Sequence, residues 1–193
     1  MTIIIILIAA ALLFGCTAPN NTPPQEPQKQ STQAPTPTRA PTEEEIGYFK
    51  TEILDKDEDR VNNLKICAHV LDGYVVSAGD TFSFNNAVGE RTEEKGYEEA
   101  RILIDGKKGY AVGGGVCQIS STIYNAVHAA GLKIIERHDH DRNVYYVPMG
   151  QDAAVSYGSL DFKFENNLSH DIRLILTVDE VHVHAKVMRI NNL

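Results

Sequence analysis

The stretch from Thr17 to Glu45 limits what this 193-residue chain can fold into more than any other feature. It holds seven of the eight prolines, six threonines, no aromatic residue and alanine as its sole aliphatic type. Such a stretch cannot bury enough apolar surface to offset the entropy of ordering it. It reads as a disordered, semi-extended linker, able in polyproline-like form to reach roughly 90 Å. The expected folded part is therefore Ile46–Leu193, long enough for one core.

Ahead of the linker, Thr2–Phe14 is apolar apart from Thr2 itself. It falls short of the roughly 20 residues that span a bilayer and suits a signal peptide. The segment ends in "LLFGC", with Leu13 three before Cys16 and Gly15 just before it, and resembles the lipobox of prokaryotic lipoproteins. Residues 1–16 thus read as a lipoprotein signal peptide, with Cys16 lipidated and the rest held on the outer side of the membrane. Ile46–Leu193 carries 16 basic and 22 acidic residues, a net charge of −6, and no Lys/Arg cluster. That excludes nucleic acid as an expected partner.

Within the folded part, "DRVNNLKICAHVLDG" sets Val61, Leu64, Ala68 and Leu71 at helical spacing, with Asp59 as a cap and Gly73 as a stop. Cys67 reads as a small core residue beside that stripe. Ile119, Ile123, Ala126, Val127 and Ala130 form the face of a second helix, which ends at Gly131. Strands are predicted at "TFSF" (81), "ARILI" (100), "KIIE" (133), "NVYYVP" (143), "LDFKFEN" (160), "DIRLILTV" (171) and "VHVHAKV" (181), the last two joined as a hairpin. The fold class expected is α+β: two main helices against a mostly antiparallel sheet, in a layout like that of thiol hydrolases.

The chemistry concentrates at "AVGGGVCQISSTIYNA". Cys117 falls in the first turn of the second helix, among unpaired backbone N–H groups and at the positive end of the dipole, both of which favour thiolate. Gly113, Gly114 and Gly115 supply a loop that a substrate can approach closely, and their N–H groups could bind an oxyanion. A bland account stands beside this one: a tight turn with Cys117 merely buried, or bridged to Cys67. A thiol nucleophile needs a base, and "ERHDHDRNVYYVP" offers His138 and His140, read as two residues on one face of an extended segment. Asp152 and Asp161 are candidates to orient the imidazole, with Asp139 and Asp141 alternating to the other face. Gln118 is a candidate oxyanion donor. No cofactor is implied by this reading; its metal alternative is zinc on Cys117, His138, His140 and Asp152. His182 and His184 read as polar residues on the solvated face of a terminal edge strand, and His69 and His128 carry no role.

The runs "GDTFSFNNAVGERTEEKGYEEA", "GGGVCQISSTIYNAVHAAGL" and "ERHDHDRNVYYVPMGQDAAVSYGSLDFKFEN" closely resemble the VanW family, over about Tyr48 to Val187. The resemblance implies an extracytoplasmic setting and a connection with peptidoglycan. It picks out Gly114, Gly115, Cys117, Gln118, Ser120, His138, His140 and Asp152 as matching the family pattern. The expected partners are then peptidoglycan or a wall peptide, and the membrane through Cys16. Three functions are compatible with these residues: a Cys–His hydrolase or transferase acting on stem-peptide amides, a non-catalytic module binding a wall peptide or carboxylate, and a zinc-assisted wall enzyme.

Overall fold

The computed structural model describes residues 42–104 and 107–191. The signal peptide, the lipidation site Cys16 and the linker as far as Pro41 lie outside the described residues. The folded chain opens with strand β1 (Thr42–Glu52), four residues earlier than the expected domain start. Helix α1 (Glu58–Leu71) follows, then the short strands β2 (Val75–Val76) and β3 (Thr81–Ser83) and helix α2 (Phe84–Val88). The hairpin β4 (Glu99–Ile104) and β5 (Lys107–Val112) leads to helix α3 (Val116–Ala129). After it come β6 (Lys133–Glu136), β7 (Lys163–Glu165), β8 (Ile172–Val178) and β9 (His182–Asn191).

The class is α+β, and every described strand pairing is antiparallel. The main sheet has the order β1-β9-β8-β2, and a smaller one the order β3-β7-β6. Alternation builds the main sheet: Ile172, Leu174 and Leu176 of β8, and Val183, Ala185 and Val187 of β9, are all buried, while the residues between them lean outward. Helix α3 packs across β1 and β9, and α1 lies against β8 and α3. At the crossing of β1 and α3 the chain needs Gly47, since a Cβ there would collide with the Ala126 carbonyl. A register shift between Glu45 and Gly47 accommodates that close approach.

Several sequence expectations need correction. Strand β9 is not at the edge, because β1, unassigned in the sequence, covers it. Asp57, not Asp59, caps α1, its carboxylate accepting the Arg60 N–H at 3.2 Å. "TFSF" stops being a strand at Ser83, whose hydroxyl accepts the Asn86 N–H and starts α2. "NVYYVP" forms no ladder, and "LDFKFEN" contributes only Lys163–Glu165. Cys67 is fully buried in the core, and Cys67 and Cys117 are both free thiols, so no bridge joins them.

Candidate functional site

Helix α3 starts without a side-chain cap. Its N-cap is Gly115, held at φ 103°, and Gly113 also lies in the left-handed region at φ 82°. Neighbours leave no room for side chains here: a Cβ on Gly114 would meet the Ala100 carbonyl, and one on Gly115 would meet the Arg60 guanidinium. The loop is thus pressed flat between β4 and α1. The Gly115 and Cys117 amides donate to no acceptor among the described residues. They stand open at the positive end of the helix.

One face of α3 then recruits the segment that carries the acid. Cys117, Ser121 and Asn125 recur every four residues and align along the helix. Asn125 Nδ2 donates to the Gln151 carbonyl at 2.7 Å, and Ser121 Oγ accepts the Ala153 N–H at 2.9 Å. Cys117 Sγ lies 3.4 Å from the Val155 carbonyl and 3.5 Å from its amide nitrogen. Ser120 Oγ adds a bond to the Ala153 carbonyl at 2.6 Å. These bonds fasten residues 151–155 alongside the thiol. The i, i+4 spacing of Cys117, Ser121 and Asn125 is legible in the sequence, but the segment they bind is not.

Asp152 is thereby held, 5% exposed, next to His140. Its Oδ2 accepts both the His140 backbone N–H at 2.7 Å and the Nδ1–H at 2.5 Å. That leaves Nε2 unbonded among the described residues, and the ring is near enough to the thiol for each to favour the charged form of the other. Burial alone would push the Cys117 thiol up, but the neighbouring His140 imidazolium outweighs it, and the net shift is downward. Burial also works against the His140 imidazolium. The charge of the neighbouring Cys117 thiolate, with the hydrogen bond and charge of Asp152, overcomes it and lifts His140 to about 9. Burial opposes the Asp152 carboxylate as well, yet the His140 bonds hold it below the ordinary range. The three groups form one relay of sulfur, imidazole and carboxylate.

Other candidates are placed elsewhere. His138 Nε2 lies 2.9 Å from Glu136 Oε1, and Glu136 also pairs with Lys163 at 2.8 Å. The loop after β6 does not follow strand alternation, so His138 and His140 diverge. Asp161 accepts the Ser83 hydroxyl at 2.6 Å and the Asn85 N–H at 2.9 Å, tying α2 to the segment before β7. Asp139 pairs with Arg137 at 2.6 Å. Gln118 is not available as an oxyanion donor: its Nε2 donates to Thr51 Oγ1 and the Glu52 carbonyl, and its Oε1 accepts from Arg60 Nη2 at 2.9 Å. Ser120 is fully buried and serves the docking just described, not a substrate surface. The zinc set is not assembled either, since His138 is committed to Glu136.

Cys117, His140 and the three glycines line a cleft of about 1020 Å³. Two further residues of this cleft went unread in the sequence. Arg60 is buried with Nη1 unpartnered, and burial lowers its pKa. Tyr146 is pushed well above the usual phenol range by burial and the charge of Cys117. Neither carries a motif; α1 and the irregular loop bring them in.

The family profile described as VanW like protein matches residues 59–188, which include the whole relay. An "Uncharacterized protein YoaR" of Bacillus subtilis is 44% identical over 129 residues, 67% of this chain and 43% of that protein. The "Vancomycin B-type resistance protein VanW" of Enterococcus faecalis is 30% identical over 135 residues, 67% of this chain and 49% of that protein. The chain thus spans less than half the length of the curated relatives it matches. No solved structure matches it.

Proposed function

Since the chain belongs to the VanW-like family, we propose that it is a cell-wall protein whose Cys117, His140 and Asp152 cleave or transfer an amide of the peptidoglycan stem peptide. Similarity to a vancomycin B-type resistance protein supports the wall connection. A thiol-hydrolase arrangement is supported by one observation above all: a thiol at an uncapped helix start whose pKa is lowered by a neighbouring imidazole, which a buried carboxylate orients. In this mechanism Cys117 thiolate attacks the amide carbonyl. The Gly115 and Cys117 amides stabilise the oxyanion, and His140, protonated, gives its proton to the leaving amine. Water or a second amine then releases the acyl group from sulfur. Lipidation at Cys16 and a linker would hold the domain within reach of the wall.

Purified stem peptides incubated with the full chain should yield a cleaved or exchanged product by mass spectrometry, and Cys117→Ser should abolish it. Unaltered turnover in that variant rules the mechanism out. A second reading has its own support. Arg60 brings an unpartnered guanidinium nitrogen beneath the glycine loop, where an anionic group would offset its charge. In that reading the cleft binds a peptide carboxylate without chemistry, and saturable binding with no product would favour it.

A further inference from the structure

Three donor groups outside the Cys117 site converge at the turn between β8 and β9. Asp179, His182 and His184 each present one ligand atom, and the three atoms all lie within 4.8 Å of one another. His182 and His184 are two apart on β9 and leave the sheet on the same face, while Val183 between them enters the core. Because β9 is central, backbone ladders on both sides hold them: His184 stands opposite Lys50 of β1 and Thr177 of β8.

The remaining geometry is that of a ligand set already oriented. Asp179 Oδ1 accepts the Val181 and His182 N–H groups, each at 2.7 Å, which fixes the carboxylate. Its Oδ2 is left facing His184 Nε2 at 2.9 Å. The other ring nitrogen, Nδ1, lies 2.9 Å from Tyr48 Oη. In the metal-free protein Nε2–H donates to Asp179 Oδ2 and Nδ1 accepts the Tyr48 hydroxyl; with the ring hydrogen moved to Nδ1, that hydrogen donates to the Tyr48 oxygen and Nε2 carries the lone pair a metal-bound histidine needs. Lys186 shares this face, but Glu45 pairs with it at 2.8 Å and offsets its charge.

We propose that Asp179, His182 and His184 bind a divalent transition-metal ion of the zinc class, with Tyr48 as the outer group that orients His184. Donors to one zinc ion stand roughly 3 to 3.5 Å apart, given bond lengths of about 2.0–2.2 Å. The Nε2 to Oδ2 separation already approaches this, and the two edges to His182, each within 4.8 Å, shorten on rotation of its ring. Two imidazoles with one carboxylate suit zinc, copper or nickel; calcium and magnesium take oxygen ligands. Binding breaks only the Nε2–H to Oδ2 hydrogen bond between His184 and Asp179, the ring hydrogen moving to Nδ1. Three protein ligands leave one coordination position for water or for a group from another molecule.

Zinc titrated calorimetrically into the full chain should bind at one equivalent. The same binding should appear in Cys117→Ser and vanish in the His182→Ala/His184→Ala double variant. Tyr48→Phe should weaken it about 10-fold or more, the usual loss for an outer-shell partner. Copper(II) added to the unsubstituted chain should give an electron paramagnetic resonance spectrum with two imidazole nitrogens, a readout that holds even if a variant misfolds. Absence of zinc binding, binding that survives in the double variant or depends on Cys117, or a spectrum without the two nitrogens would each overturn the site.

Discussion

His140 is gripped twice by one atom of Asp152: Oδ2 takes the backbone N–H at 2.7 Å and the ring Nδ1–H at 2.5 Å. The carboxylate therefore sets both the path of the loop and the tautomer of the ring. Asp152→Asn keeps the shape but cannot hold Nδ1–H in the same way. Turnover should drop by roughly a hundred- to ten-thousand-fold, with near-native circular dichroism.

The same substitution should cost about 1–3 kcal/mol of stability at neutral pH, as a buried donor loses its partner. Folding holds the Asp152 pKa below its ordinary 3.8, so the unfolded chain takes up the proton first as pH falls. The stabilisation is complete above that value and is lost below it. Denaturant melts of wild type and Asp152→Asn should therefore differ at pH 7 and converge as pH falls below about 4.

Thiol chemistry should report the ion pair directly. Alkylation of Cys117 should show a midpoint below the usual thiol value of about 8.5, and His140→Ala should move it upward. Turnover should need His140 protonated for the leaving amine, so its alkaline limb should centre near the imidazolium value of about 9. Cys67, pushed up to about 12 by burial, should resist the probe until the protein unfolds. Peptide mapping after alkylation at graded pH measures all of this.

The two neighbouring histidines should behave oppositely. His140→Ala should remove turnover altogether, while His138→Ala should leave it within about 2-fold, because His138 pairs with the half-buried Glu136 and does not line the Cys117 cleft. Equal losses in both variants would contradict the placement of the relay.

Gly115→Ala tests the flattened loop. The residue sits at φ 103°, and its new methyl would strike Arg60. Backbone strain alone costs about 1–3 kcal/mol, so the melting temperature should fall by roughly 4–10 °C. Gly131→Ala is the control: φ is 73° there, but nothing lies within 4 Å. Its loss should be clearly smaller.

Much of the framework was legible because it is written in local periods. The apolar spacing of Leu64, Ala68 and Leu71, and of Ile119, Ile123 and Ala126, marks α1 and α3, and each set is buried. Alternation from Ile172 to Leu176 marks β8 in the same way. Strand β1 escaped notice since its first four residues, "TEEE", are exposed and continue the polar composition of the linker. What pairs them with β9 is a register across the chain, Thr42 with Asn191, that no local pattern records.

From the amino-acid sequence alone came the two helices, the β8–β9 hairpin and the thiol at the end of a glycine run, since each depends on neighbours a few residues away. The choice of His140 over His138 and of Asp152 over Asp161, the withdrawal of Gln118 into a buried network, and the central position of His182 and His184 were decided in three dimensions. Residues 137–162 have almost no regular structure, so their side chains point where distant partners pull them. Ser121 and Asn125, some thirty residues from the segment they bind, did that pulling.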